Sequence, residues 1–240
     1  MVRVDEWNIE RLLVLEPHAD DGILMAAGLT IKVAESGGEV CYLTLTNGGA
    51  ARKDSEKLKQ ERKEESQEAD KILGVSKRII LPYDTRALHD NHSDAYNDLL
   101  QHIRQFHPDT IVTMHEDYNH PDHMWSAQFS RPARFQASEP IRPDWGSSVC
   151  AALLYGENPR STLQVRPDLY LFVVIDHEIQ RKITAMKTQI SQFPILGKTI
   201  LDDISTLAAF RAMNAYPINR DIKFCEAFQI MYKQTVFRDK

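Results

Sequence analysis

"RLLVLEPHADDGILMAAGLTIKVAESGGEVCYLTLT" (residues 11–46) contains two short apolar runs, 11–15 and 39–46, with a helix-like segment, 22–36, between them. Apolar runs of this length, bounded by turn-prone residues, are typical of strands that are buried on both faces. A strand, a helix and a second strand in succession predict two parallel strands joined by a helix.

The same alternation continues along the chain. Further strands are predicted at 78–82, 110–115, 149–155, 170–175 and 226–232. Helices are predicted at 55–73, 93–106, 121–137 (interrupted by Pro132), 178–193 and 199–215. We therefore predict an α/β fold with a Rossmann-like, mainly parallel sheet and helices on both faces. We expect a single domain over residues 1–240.

The amino-acid composition limits the classes of function that this chain can have. The 240 residues are 42% hydrophobic, which is enough to form a large core. The net charge of −5 provides no positive field for nucleic acid or an anionic membrane, so we expect a small-molecule substrate. The chain contains no apolar run of the roughly 18 to 20 residues that a membrane span requires. The three cysteines form no CxxC pair, which favours a reducing, cytoplasmic environment.

Four polar loops follow the first four predicted strands. They are "PHADD" (17–21), "TNGG" (46–49), "YDTR" (83–86) and "EDYNHPDH" (116–123). In open parallel sheets, ligands bind beyond the carboxyl ends of the strands, where such loops converge. The sequence therefore predicts a functional site at this edge of the sheet.

Two of these loops carry residues that can bind a metal. His18, Asp20 and Asp21 lie in the first loop, and His120 and His123 form an HxxH pair in the fourth. One aspartate could instead cap the following helix, and an isolated histidine can be purely structural. Two imidazoles and a carboxylate, with water, form a typical catalytic zinc site. Mixed nitrogen and oxygen ligands also accept iron or other divalent metals.

"PHADD" together with "NHPDH" resembles the paired signature of the LmbE-like (PIG-L) zinc-dependent N-deacetylases. "LTLTNGG" (43–49) and "RKEESQEADKILGV" (62–75) are similar to further family segments, so the resemblance extends over most of the chain. It implies an LmbE-like fold, one Zn²⁺ per chain and hydrolysis of an N-acetylglucosamine-type amide. The implied partner is a small N-acetylated amino sugar.

The resemblance also implies a role for each polar residue. The implied zinc ligands are His18, Asp21 and His123, and the implied general base is Asp20. His120 would be an electrostatic or acid group that is oriented by Asp122, and Tyr118 would lie near the carbonyl oxygen. The implied sugar contacts are Arg62 and Asp84, with Asp90 as an alternative to Asp84.

Two other functions are compatible with the sequence. The same site could cleave a larger amide conjugate, in which case a fragment other than acetate would be released. Alternatively, the chain could be a sugar- or nucleotide-binding module without turnover, although neither GxGxxG nor GxxxxGK[ST] follows the first strand. The sequence leaves open the sugar, its aglycone and whether the protein forms a homo-oligomer.

Overall fold

The computed structural model describes residues 2–3, 8–49, 55–115, 119–160, 170–215 and 221–232. The strands are β1 (Val2–Arg3), β2 (Arg11–Glu16), β3 (Glu39–Thr46), β4 (Lys77–Tyr83), β5 (Thr110–Met114), β6 (Ala152–Gly156), β7 (Tyr170–Val174) and β8 (Cys225–Tyr232). The α-helices are α1 (Asp21–Glu35), α2 (Ser55–Leu73), α3 (His92–Phe106), α4 (Pro121–Ser138), α5 (Ile179–Lys187), α6 (Phe193–Leu196) and α7 (Ile200–Ala215).

The strands form one sheet in the order β1-β7-β8-β6-β5-β2-β3-β4. All pairs are parallel except those of β8, which runs antiparallel to β6 and β7. The predicted α/β class with a mainly parallel sheet is therefore confirmed.

The central strands are buried on both faces, as their apolar sequences predict. Leu12 and Val14 of β2 pack into a core with α1, α2, α5 and α7. Leu13 and Leu15, which point the opposite way, pack into a second core with α3 and α4. Alternate residues of one strand thus enter two separate cores, which explains the continuous apolar run.

Two predicted elements differ in detail from the structure. The strand predicted at 78–82 lies at the edge of the sheet, and its Ile79 and Ile80 are only half buried rather than enclosed on both faces. Helix α4 continues through Pro132 without interruption, although proline removes a helical hydrogen bond. Phe129 and Ala133 on either side of the proline are buried in the core, and this packing holds the helix together.

The C-terminal third also departs from the predicted pattern. The helix predicted over 178–193 ends at Lys187 and is followed by a 3₁₀ turn at 190–192 and the short α6. Among the helices that the structure describes, none combines the length and apolarity needed to cross a bilayer.

A buried charge network lies beneath the start of α1. Glu16 at the end of β2 is fully buried, and its Oε2 accepts a hydrogen bond of 2.7 Å from the Gly22 backbone N–H. Its other oxygen pairs with Arg78, which also forms a two-bond ion pair with Asp70, with both distances 2.7 Å. Burial raises the pKa of Glu16, while the Arg78 charge opposes the shift. The network therefore holds the N-terminus of α1 against the sheet.

We expect Arg78→Met to lower the free energy of unfolding by about 3–5 kcal/mol, because it leaves Glu16 buried without its charged partner. Chemical denaturation followed by circular dichroism would measure the change. Lys71→Met is the control, since the Lys71–Glu68 pair is 69% and 61% exposed. That pair should contribute about 0–1 kcal/mol. Equal effects of the two substitutions would contradict a structural role for the buried network.

Candidate active site

The polar loops at the carboxyl ends of β2, β3, β4 and β5 surround a cavity of about 910 Å³. Its wall is completed by six residues from the C-terminal half: Asn158, Arg160, Ser191, Gln192, Ile195 and Leu196. The sequence predicted the four loops but not this second wall. The predicted site residues found in the cavity wall are His18, Asp20, Asp21, Arg62, Asp84, His120 and His123.

Three donor atoms form a compact triangle at the bottom of this site. His18 Nδ1 lies 3.0 Å from Asp21 Oδ2 and 3.1 Å from His123 Nε2. The remaining edge, from His123 Nε2 to Asp21 Oδ2, is 3.2 Å. Ligands of a tetrahedral zinc ion with bonds of about 2.0–2.1 Å lie roughly 3.3 Å apart. The spacing and chemistry of the three donors therefore fit a zinc ion.

His120 stands beside this triangle and is more accessible. Its side chain is 30% exposed, and its ring centroid lies 4.9 Å from that of His18 and 5.1 Å from that of His123. One nitrogen from each of the three histidines lies within 4.8 Å of the others, so this set could also hold a metal. The shorter edges favour Asp21 over His120 as the third donor.

Charge in the triangle is balanced by close contacts. Burial lowers the pKa of His18, but hydrogen bonds to Asp122 and Asp21 outweigh it and raise that pKa to about 9. Burial would raise the pKa of Asp21, yet His123 and His18 hold it far below its usual range. Burial and the charges of His18 and His123 lower the pKa of His120 to about 4. These contacts favour a proton on His18, and a metal ion bound at Nδ1 would take the place of that proton.

The Asp122 carboxylate lies closer to His18 than to His120, the histidine that it was expected to orient. Its Oδ2 lies 3.0 Å from His18 Nε2 and 3.9 Å from His120 Nδ1, so the carboxylate orients His18 rather than His120. The Arg86 backbone N–H donates to the same carboxylate at 2.8 Å and 3.1 Å. Because His120 caps α4, the Asp122 backbone N–H, and not its carboxylate, is the group that bonds His120 Nδ1, at 3.3 Å.

The Asp20 side chain is not used to cap α1. Asp20 occupies the N-cap position, but its carboxylate makes no capping hydrogen bond. Glu16, which sequence reasoning missed, bonds the Gly22 N–H instead. Asp20 Oδ1 accepts a hydrogen bond of 2.9 Å from Arg62 Nη2, and both side chains are buried. The Asp20 carboxylate therefore does not cap the helix, which was the structural role that the sequence left open for it.

The three residues predicted to contact the sugar differ in how they are placed relative to the cavity. Arg62 is 7% exposed and bonds Asp20, so it supports the aspartate rather than presenting a free guanidinium to the cavity. Asp84 lies in the cavity wall, with its Oδ1 3.0 Å from Lys59 Nζ. The alternative, Asp90, is 82% exposed and pairs with His89 away from the cavity wall. Tyr118 lies outside the described residues.

Sequence reasoning also missed residues that complete the site. Arg86, in the loop after β4, adopts a left-handed backbone with φ of 71° and lies in the cavity wall. Asn158 and Gln192 come from the C-terminal half, where no motif marks them. In the sequence, only the position of Arg86 in the polar loop 83–86, which was predicted to lie at the carboxyl ends of the strands, pointed to the site.

The sequence of this chain is similar to those of known proteins. The family described as "PIG-L: GlcNAc-PI de-N-acetylase" matches residues 13–133. A diacetylchitobiose deacetylase from Thermococcus kodakarensis is 30% identical over 206 residues, which cover 78% of this chain and 72% of that protein.

Solved structures share the fold at lower identity. An N,N'-diacetylchitobiose deacetylase from Pyrococcus horikoshii, in complex with an inhibitor, superposes with a TM-score of 0.77 at 22% identity, over 93% of this chain and 84% of that chain. GalB, a 4-carboxy-2-hydroxymuconate hydratase from Pseudomonas putida KT2440, gives a TM-score of 0.76 at 20% identity, over 96% and 100%. The same fold thus carries two different activities, and the site residues must decide between them.

Proposed function

This chain belongs to the PIG-L, or LmbE-like, family of hydrolytic N-deacetylases, and from that premise we propose that it removes the acetyl group from an N-acetylated amino sugar with a zinc ion. The relative from Thermococcus kodakarensis is named for such a sugar, diacetylchitobiose. The proposal places the reaction in the cavity above His18, Asp21 and His123.

One observation carries the proposal: a carboxylate that is not part of the donor triangle lies beside it in the same cavity. Arg62 engages Asp20 Oδ1, and no hydrogen bond to Oδ2 is formed within the described part of the chain. This oxygen is available to accept a proton from water. A binding module without turnover would have no use for such a group next to a metal centre.

His18, Asp21 and His123 would hold the metal, with Asp122 fixing the His18 ring through its Nε2. Metal-binding histidines usually donate a hydrogen bond from their second ring N–H to a carboxylate in this way. When bound, zinc supplies Lewis acidity, which lowers the pKa of water from 15.7 to about 7 and polarises an amide carbonyl.

Asp20 would move the proton in this reaction. Its Oδ2 takes a proton from the attacking water as the new carbon–oxygen bond forms. The same proton then passes to the amide nitrogen as the carbon–nitrogen bond breaks, which releases acetate and the free amine. The Arg62 guanidinium holds Oδ1 and so fixes the orientation of the carboxylate throughout.

His120 would stabilise the oxygen of the tetrahedral intermediate. Its Nδ1 accepts a hydrogen bond from the Asp122 backbone N–H, so in the neutral ring Nε2 carries the hydrogen. A neutral histidine can therefore donate Nε2–H toward the cavity. This is the electrostatic role of the two that the family resemblance implied for His120, and Asp20 supplies the proton to the amine.

The proposal is tested by an acetate-release screen with a panel of N-acetylhexosamines and their glycosides. We expect release of one acetate per free amine formed, loss of activity after chelation and recovery with Zn²⁺. Mass spectrometry of the products separates acetate from larger acyl fragments, which would indicate an amide conjugate as the substrate. No amine product with any panel member, with zinc bound, would argue against deacetylation.

A further inference from the structure

Helix α1, which begins at the proposed metal ligand Asp21, is broken one turn later. Ala26 has non-helical angles, φ −143° and ψ 15°. A regular helix pairs the N–H of residue 28 with the carbonyl of residue 24. Here the Gly28 N–H donates to Glu226 Oε1 at 2.8 Å, and the Leu24 carbonyl accepts from Lys182 Nζ at 2.8 Å.

A buried ion pair thus occupies the break. Lys182 Nζ lies 2.7 Å from Glu226 Oε1, and Glu226 Oε2 accepts a further bond of 2.9 Å from the Leu29 N–H. Lys182 is 4% and Glu226 5% exposed. The signs of the charges suit the backbone, because the lysine faces a carbonyl at the end of the first segment and the carboxylate faces N–H groups at the start of the second.

Gly28 has no side chain, and this leaves space for the Glu226 carboxylate beside the helix backbone. A Cβ at that position would lie 3.1 Å from Glu226 Cδ and 2.3 Å from Ile175 Cγ2. Any larger residue would therefore displace the Ile175 side chain and crowd the Glu226 carboxylate. The close approach of Glu226 to the helix backbone therefore depends on this glycine.

The first segment of α1, residues 21–25, is held by buried charge at both ends. Glu16 bonds the Gly22 N–H at the start, and Lys182 bonds the Leu24 carbonyl at the break. The segment's direction decides where the Asp20 and Asp21 carboxylates point. His123, the third donor of the triangle, lies on a different helix, α4. A small change in the direction of the first segment of α1 would therefore move Asp21 away from His123.

We propose that Lys182 and Glu226 are positioning residues for the metal centre. By separating two backbone groups that would otherwise pair with each other, they set the angle at which α1 presents Asp20 and Asp21 to His123. The inference rests on the proposed function, since it assigns the pair a role in metal binding and turnover. Neither residue touches the cavity in which the substrate would bind.

The test is the double substitution Lys182→Met with Glu226→Met in the full chain. Replacing both members of a buried ion pair by apolar residues of similar volume is often neutral for stability, so we expect the melting temperature to be retained. With the pair removed, the Gly28 N–H and the Leu24 carbonyl can bond each other. We expect a loss of about 10- to 100-fold in Zn²⁺ affinity, measured without substrate by competition with a chromophoric chelator.

Kinetics provide a second measurement. We expect kcat to fall by about 10- to 100-fold while KM stays within about two-fold, because the substitution misplaces the donors and Asp20 without altering the substrate cavity. A purely structural pair would change the melting temperature but neither the zinc affinity nor kcat. Wild-type zinc affinity and kcat in the folded double variant would therefore overturn the proposal.

The matched control is Lys32→Met with Glu178→Gln. These two residues form another ion pair between α1 and the start of α5, with Nζ and Oε1 3.0 Å apart, but beyond the break. We expect wild-type zinc affinity and kcat. An equal loss in this control would also overturn the proposal, because it would show that any pair on α1 has the same effect.

A single variant covers the case in which the double variant does not fold. Glu226→Gln keeps the side-chain volume and one acceptor oxygen, which can serve either Gly28 and Lys182 or the Leu29 N–H, and it presents an NH₂ group to the other side. We expect a weaker but measurable loss of zinc affinity, and wild-type affinity would contradict the positioning role. Zinc binding is measured without substrate, so failure of the deacetylase proposal, with zinc bound but no acetate released, is distinguishable.

Discussion

Asp20→Asn is expected to retain bound zinc and to lose about 10²- to 10⁴-fold in kcat, the usual contribution of a general acid–base group. Asparagine has the same shape, and its Oδ1 can still accept the hydrogen bond from Arg62. The substitution therefore leaves the buried contact in place. What it removes is the basic oxygen that would take a proton from water.

Metal content by mass spectrometry and kcat from acetate release, on the same preparation, measure this effect. Asp90→Asn is the matched control, because Asp90 is 82% exposed and pairs with His89 outside the cavity wall. That control should retain wild-type kcat. Near-wild-type turnover of a good substrate by the zinc-loaded Asp20→Asn variant would remove Asp20 from the mechanism.

His18→Ala is expected to lose both the metal and turnover. The His18 ring links two buried carboxylates, because Nδ1 faces Asp21 and Nε2 faces Asp122, each at 3.0 Å. Its removal deletes one donor of the triangle and leaves Asp122 without the group it orients. Loss of a residue that only supports a ligand costs about 10- to 100-fold in metal affinity, and we expect loss of a ligand itself to exceed this range.

Zinc titration of the folded, metal-free variant, with circular dichroism to verify the fold, measures the loss. His89→Ala is the control, since its side chain is 74% exposed and lies outside the cavity wall. One equivalent of tightly bound zinc in His18→Ala would contradict the proposed centre.

A comparison of His120→Ala with Asp21→Asn separates the two possible donor sets. Loss of zinc only in Asp21→Asn supports the triangle of His18, Asp21 and His123. Loss of zinc only in His120→Ala would support the set of three histidines instead.

Much of the fold was predictable because the signal is local. Runs of five to eight mainly apolar residues mark strands buried on both faces, and the strand at 39–46 and the helix at 55–73 were predicted to the residue. Errors occurred where tertiary position overrides local pattern. The run at 78–82 is apolar like the others, but its place at the sheet edge leaves it half buried. Pro132 is a strong helix breaker locally, and only packing explains its tolerance.

The candidate site shows a similar division. The loops that meet at the carboxyl ends of the strands follow from the parallel topology, so the approach of His18 to His123 could be expected. The partners of individual side chains could not. Whether Asp122 orients His18 or His120 depends on its rotamer, because its Oδ2 lies 3.0 Å from a His18 nitrogen and 3.9 Å from a His120 nitrogen. Likewise, Arg62 is one cation in a highly charged helix, and only the structure shows that it is buried against Asp20.

The position of β8 between β6 and β7 has a consequence for biosynthesis. Glu226 on this strand bonds Gly28, a contact that spans 198 positions of the chain. During translation, the aspartates of the first loop leave the ribosome long before the strand that completes their helix. On the proposed role of Glu226, the metal ligands of the nascent chain would reach their final arrangement only after β8 has emerged and paired with its two neighbours, and until then β6 and β7 each have an unpaired edge.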